Sequence, residues 1–345
     1  MRFTPEQDEL RSAVRAVLAR HEGPAVWGPL TEGVGVTGLG IPEEYGGFGG
    51  GTVDTYVVME ELGRVLSPVP YLASAVLAAQ ALVAAGDAGA CAELLPALAD
   101  GSAVGALAWA EDGSWEPDAI RARVRGGLLT GVKEHVLTGA GRPDTLLVLA
   151  HGDDGLGLYQ VPCAEVEFTL LPTMDQSRPQ ARVVIDRAPA RLLAADGDRI
   201  LARVRDLATT ALAAEQTGAA AQALADTVQY ARDRVQFGRP IGSFQAVKHR
   251  VAELHVQVEY ARSLALAAAH ADAEPSLAAA AGSVCSEAYA KVAGEMIQLH
   301  GGIGITWEHP AHRHFKRAHA ARQWFGTPVA HRRRLADRLG LVPVA

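Results

Sequence analysis

The stretch YARDRVQFGRPIGSFQAVKHR, residues 230–250, joins two helical patterns through a basic turn that carries glycine and proline. The helix before it ends near Arg234, and the next begins near Gln245. Arg234 has the planar fork of donors that grips a phosphate, and Phe237 can pack on a flat ring. A plain helix–helix connector with a solvated arginine reads the same residues equally well. A second stretch bears on that choice. In QLHGGIGITWEHP, residues 298–310, Gly301, Gly302 and Gly304 follow a helix end. Glycines there either cap the helix or bring bare backbone close to a ligand.

Working outward, the segments on either side of the first stretch are helical. In residues 245–270, Val247, Val251, Leu254, Val258, Ala261, Ala265 and Ala268 recur at spacings of four and three, the seam of a bundle. Cys285, Ala288, Val292, Met296 and Leu299 mark one face of residues 277–300. A four-helix bundle is the expected architecture. Upstream the texture changes to short strands. Ile120, Ala122 and Val124 alternate with three arginines, and Gly126-Gly127 signals a hairpin into LLTGVKEHV. TLLVLA and LGLYQV flank HGDDG as a second hairpin, and ARVVID supplies a further strand.

The N-terminal part is helical again. Thr4, Pro5 and Gln7 form a capping-box start, and Leu10, Val14, Val17 and Leu18 follow as the buried face. One loop-rich interruption, GLGIPEEYGGFGGG at 38–51, lacks the strand and helix context of a phosphate-binding loop and reads as a chain-reversing, substrate-side loop. The expected class is therefore α+β, mainly α: an N-terminal helical domain (1–101), a middle β domain (102–196) and a C-terminal four-helix bundle (197–345).

Bulk properties narrow the function. The 345 residues are 49% apolar and 21% charged, with a formal net charge of −7. That is a globular composition, and its acidity argues against nucleic-acid binding. Cys91, Cys163 and Cys285 have neither disulfide nor metal-ligand spacing, which suits a reducing cytoplasm. The most apolar run, 74–86, is too short and alanine-rich to span a bilayer, so no membrane role is expected.

Taken together, the chain resembles the acyl-CoA dehydrogenase family of flavoproteins. IPEEYGGFG (41–49), TMDQSRPQARVVID (173–186), R-x-x-FG-x-x-I-x-x-x-Q from Arg234 and Q-x-x-GG-x-G from Gln298 carry the resemblance, which covers nearly the whole chain. It implies an α-domain, a β domain and a bundle, assembled as an oligomer around FAD held between subunits. It implies that Arg234 meets the FAD pyrophosphate and that Phe237 and Gln245 line the adenine-ribose end. Gln298, Gly301 and Gly302 would close over that end from a neighbouring subunit. Thr327 and Thr138 join the cofactor-binding candidates. The substrate implied is an acyl-CoA thioester and the electron acceptor another flavoprotein. The reaction implied is α,β-oxidation, in which a carboxylate removes the α-proton while the β-hydrogen leaves as hydride.

The departures from that pattern matter as much. The family's commonest catalytic glutamate falls, by count from Gln298, on Phe325 in RQWFGTP (322–328); a phenyl ring accepts no proton. The alternative base position, on an earlier bundle helix, falls on Ala208. Glu215 lies two helical turns further along the same face, either as a relocated base or as the partner of a basic neighbour. His135 or Thr138 would stand where the family often has a tryptophan and threonine behind the flavin, and Trp109–Gly113 only partly resembles the loop that faces them. His309, His312, His314 and His319, among arginines and lysine, lack zinc-site spacing and read as a basic face. Arg332, Arg333 and Arg334 read as the C-terminal end of a solvated helix. Two functions follow as expectations: an FAD-dependent acyl-CoA dehydrogenase, or a non-catalytic or half-catalytic subunit paired with a related chain that carries the base. The same scaffold used for other flavin chemistry is a third.

Overall fold

The computed structural model describes residues 2–139 and 141–341. The chain forms two compact units, one of residues 3–58 and 68–208, the other of residues 59–67 and the chain from 209 onward.

The first unit opens on α1 (Pro5–Arg20). Thr4 Oγ accepts from the Gln7 amide, and Gln7 returns the bond to Thr4, the reciprocal cap its sequence announces. After α2 (Trp27–Val34) the loop 38–51 folds back on itself through Phe48 to Gly38 and Gly49 to Ile41 backbone bonds. A Cβ at Gly47 would lie 2.0 Å from the Ile41 carbonyl oxygen, so glycine is obligatory there. The alanine-rich run then winds as a π-helix over Leu72–Ala78, continues as α4 (Ala79–Ala85) and stops at the left-handed Gly86. α5 (Ala88–Ala99) follows, capped by Asp87.

The strands β1 (Gly105–Ala108), β2 (Arg123–Arg125), β3 (Leu128–Leu137), β4 (Thr145–Gly152), β5 (Gly155–Val161), β6 (Glu167–Leu170), β7 (Gln180–Pro189) and β8 (Arg191–Ala194) form one sheet in the order β6-β7-β3-β2-β4-β5-β8, with β1 parallel to β4. Both expected hairpins are present, the first turning on Gly126 and Gly127, each at positive φ. Leu129, Val136, Leu146, Val148, Val183 and Ile185 fill the core on one face. β2 is shorter than the alternation of residues 120–125 suggests, because Ile120 belongs to the end of a 3-10 turn. Three short strands, β1, β6 and β8, carry no alternating signal, β1 because all four of its residues are buried.

The second unit is the bundle. Its long helices are α6 (Gly197–Asp233, from residue 209 in this unit), α7 (Gln245–His270) and α8 (Pro275–His300), followed by two 11-residue helices, α9 (Ala311–Ala321) and α10 (Pro328–Arg338). The seam of α7 lies as its spacing requires, with Leu254, Val258, Ala261, Ala265 and Ala268 buried. The end of α3 (Thr52–Arg64) crosses α6 on two glycines. A Cβ at Gly63 would lie 2.1 Å from the Glu215 carbonyl oxygen, and one at Gly218 would lie 1.9 Å from that of Glu60. Backbone thus meets backbone at the crossing. The arginine run 332–334 lies mid-helix in α10, not at its end. Arg332 is held sideways by Glu287 at 2.7 Å and Ser283 at 2.9 Å, so side-chain pairing, not the helix dipole, accounts for it.

Candidate functional site

The turn that follows α9 is built around buried aromatics. Trp324 is 3% exposed and Phe325 fully buried. Phe325 has φ +59 and Gly326 φ +127, so the chain reverses through a conformation that a phenylalanine occupies only at a cost of about 1–2 kcal/mol. Burial of the ring offsets that cost. Thr327 then caps α10, its hydroxyl accepting from the Ala330 amide at 3.2 Å. No acid stands in this turn.

Glu215 is buried in the same unit, 1% exposed, with Arg317 of α9 fully buried against it at 2.8 Å. The sequence left two readings of Glu215, and the geometry realises the ion pair. The partner of Glu215 was missed in the sequence, although a signal existed: Ala311, His314, Ala318 and Ala321 trace the buried face of α9, on which Arg317 also falls. Ala208 is fully buried and carries no acid.

The opening stretch and the glycine turn converge at one end of the bundle. β9 (Val235–Gln236) and β10 (Arg239–Pro240) pair as a hairpin whose turn, Phe237-Gly238, has both φ values positive, +53 and +75. Such a type I′ turn favours Asn-Gly, and here it throws the Phe237 side chain into solvent, 92% exposed. Arg234 and Gln245 are exposed beside the two ends of this hairpin. Tyr230, one turn before Arg234, stacks on His300 at 4.2 Å and donates to its carbonyl at 3.3 Å. The glycine turn starts at that carbonyl: Gln298 is exposed, Gly301 has φ +62, and a Cβ at Gly301 or Gly302 would touch nothing. Tyr230 and His300 were not legible as partners, being far apart in the chain.

The four histidines of the basic face are spent on rings. His309 stacks on His300, His312 meets Trp307, His314 bonds to Tyr289 and His319 packs on Phe315. Burial holds the His314 imidazole down at about 3, so it is neutral at physiological pH.

In the sheet unit, the loop 109–115 is clasped to β3. Lys133, fully buried, donates to Glu111 and to the Leu149 carbonyl, the latter at 2.6 Å. Burial pulls its ammonium down to about 8 while Glu111 opposes the shift. Glu111 also accepts from the Arg121 and Ala122 amides. The clasp faces a bulge: the β3–β7 register slips between Lys133 and Val136, and His135 there has φ +53. Its Nδ1 lies 3.0 Å from Gln180 Oε1, and its ring stacks with Trp115. Thr138 is buried, and its hydroxyl donates to the Gly139 carbonyl.

Comparison with known proteins supplies the family. The acyl-CoA dehydrogenase N-terminal domain profile matches residues 4–102 and the C-terminal domain profile residues 205–340. The acyl-CoA dehydrogenase IpdE2 of Mycobacterium tuberculosis is 39% identical, over 97% of each chain. The chain belongs to the acyl-CoA dehydrogenase family. Among solved structures, a variant of the Tcur3481–Tcur3483 steroid ACAD superposes with a TM-score of 0.86 at 31% identity, covering 97% of this chain and 98% of that one. The ChsE4–ChsE5 complex from Mycobacterium tuberculosis does so at 0.88 and 28%, covering 99% of each.

The reaction class of this acyl-CoA dehydrogenase chain is therefore oxidation of an acyl-CoA, and its cofactor is FAD. The residues present fit such a group. Arg234 is a cation with no acceptor among the described residues, set beside a solvent-facing phenyl ring and a turn of bare backbone. An anionic ligand that also carries a flat ring would use all three.

Proposed function

We propose that this acyl-CoA dehydrogenase chain works as the base-less subunit of a hetero-oligomer, paired with a related chain that supplies the proton-abstracting carboxylate. The observation that carries this reading is Phe325, fully buried at a left-handed turn where the family's commonest glutamate would stand. Glu215 supports it: held by Arg317 at 2.8 Å, it is taken here as a structural half of an ion pair and not as a relocated base. That the ChsE4–ChsE5 and Tcur3481–Tcur3483 neighbours both carry two names fits a two-chain assembly.

In this reading the chain's own residues bind and orient. Arg234 holds the pyrophosphate by charge-assisted bonds, Phe237 and Gln245 line the adenine-ribose end, and Gln298, Gly301 and Gly302 approach with backbone where no side chain intervenes. Thr327 fixes the start of α10, and Thr138 and His135 are the sheet-unit residues that would approach the flavin. FAD, when bound, supplies the acceptor for the β-hydrogen. Phe325 and Trp324 keep the turn apolar and offer no site for the α-proton.

The likeness to a steroid ACAD makes a sterol-derived acyl-CoA the first substrate class to test, with another flavoprotein as electron acceptor. The same reading divides the chain at 101/102 and 196/197 into helical, β and bundle domains, supported by family matches that end at 102 and begin at 205. Three unpaired cysteines support a reducing cytoplasm, and among the described residues no helix is long and apolar enough to cross a membrane.

Co-expression with a related acyl-CoA dehydrogenase chain that carries the glutamate tests the proposal. Native mass spectrometry should show equal numbers of the two chains with bound FAD, and only that complex should turn over acyl-CoA. A homo-oligomer that turns over acyl-CoA unaided would sink it.

A further inference from the structure

His300, the last residue of α8, is 3% exposed, and its Nδ1 lies 2.7 Å from the Met296 carbonyl oxygen. A carbonyl only accepts, so Nδ1 carries the proton. Nε2 is buried and has no partner among the described residues. The ring is therefore neutral, because a cation would bury a second N–H with nothing to receive it. Tyr230 stacks on it at 4.2 Å and 28°, His309 lies against it at 4.2 Å and 42°, and Tyr230 and His309 meet edge to face at 6.5 Å, so the three rings form one cluster. The Tyr230 hydroxyl donates to the His300 carbonyl, and the Ala311 amide donates to His309 Nδ1 at 3.2 Å. The cluster thus joins the ends of α6 and α8 to the start of α9. The glycine turn rests directly on it: a Cβ at Gly304 would stand 3.1 Å from the His300 Cβ and 2.9 Å from the Ile297 carbonyl oxygen.

We propose that the Tyr230–His300–His309 cluster positions the glycine turn Gly301–Gly304, and does so only while the His300 ring is neutral. The titratable groups facing the ring are Asp226 and Tyr230 on α6 and His309 ahead of α9. Burial, helped by His309, holds the imidazole below its ordinary value of 6.5, against the Met296 carbonyl and Asp226. When the turn lifts, the ring meets water and regains its ordinary affinity for protons. The open form then binds one more proton than the closed form. Opening must increase as pH falls below 6.5, by at most about ten-fold per pH unit for one proton. This positioning role goes beyond the proposed function and rests on it only for the consequence that opening releases FAD.

Hydrogen exchange of the full-length protein, followed by mass spectrometry on peptides covering 298–309 from pH 8 to pH 5, tests it after correction for intrinsic exchange. The expected result is opening that steepens towards ten-fold per unit below pH 6.5. His300→Gln keeps an amide donor for Met296 but takes up no proton, and should flatten the profile. A flat wild-type profile, or an equal slope in His300→Gln, overturns the proposal. Tyr230→Phe keeps the imidazole and removes the tie to the His300 carbonyl, so it decides the matter even if His300→Gln does not fold. Its turn should exchange several-fold faster at every pH with the slope retained, and unchanged exchange overturns the proposal. Bound FAD, followed by absorbance over the same range, separates the two readings. A turn that opens while FAD stays bound upholds the positioning role and removes the turn from the cofactor site.

Discussion

At the residue scale, the proposed lack of a base rests on Phe325 and Glu215. Phe325 occupies a fully buried, left-handed position, so Phe325→Glu does not simply restore a base. An unpaired carboxylate there is desolvated without a partner, and we expect a loss of roughly 2–5 kcal/mol, measured as a fall in the urea midpoint. Glu215 and Arg317 should behave as one unit. Arg317→Met alone should cost about 3–5 kcal/mol, because it strands a buried charge, whereas Arg317→Met with Glu215→Leu should recover most of that loss. If the double variant is no more stable than the single one, the pair is not what holds α9 to α6. Phe237 predicts the opposite behaviour. At 92% exposure its truncation to Ser should move stability by less than about 0.5 kcal/mol, yet lower FAD retention measurably. Equal FAD content in Phe237→Ser and wild type would remove the hairpin from the cofactor site.

At the scale of elements, the α3–α6 crossing is the most sensitive to a single added carbon. Gly63→Ala and Gly218→Ala each drive a Cβ into a facing carbonyl, at 2.1 and 1.9 Å, and backbone cannot step aside as a side chain can. Each should destabilise by roughly 1–3 kcal/mol or more in thermal unfolding. Together they should cost less than the sum, because the first substitution already parts the helices. Elements of this kind also show what the sequence made legible. The α7 seam, the capping box at Thr4 and the two sheet hairpins were visible because local periodicity and turn chemistry specify them. The Phe237-Gly238 turn has no hairpin signature in the sequence, because Phe is an uncommon residue at a left-handed turn position. Strand β1 was hidden because full burial erases alternation, and the Gly63–Gly218 crossing because it joins distant segments. The candidate site shows the same division. Arg234, Gln298 and the glycines stood in recognisable motifs, whereas Arg317, Tyr230 and His300 acquire their roles only from tertiary contacts.

For the whole molecule, buried histidines set the acid limit. In the folded protein His314 is held down to about 3, and burial also lowers His300 and His312. Unfolding returns each to about 6.5, so between these limits the unfolded chain binds more protons than the folded one. Their contribution is fully present above pH 6.5 and is lost as pH falls towards 3. The most strongly shifted of them, His314, contributes a slope of up to about 1.4 kcal/mol per pH unit. Urea midpoints at pH 8, 7, 6 and 5 should fall at the acid end, and His314→Gln should flatten that fall. A wild-type midpoint constant down to pH 5 would contradict the burial seen here.

The central claim concerns one proton, and exchange of that proton tests it most directly. An acyl-CoA incubated in D2O takes up deuterium at its α-carbon only where a base removes the α-proton, whether or not hydride transfer follows. This chain purified alone should exchange the α-proton no faster than buffer does, and the complex with its related chain should exchange it readily. Exchange by the lone chain well above the buffer rate would contradict the account, and its loss in Glu215→Gln would identify Glu215 as the base after all.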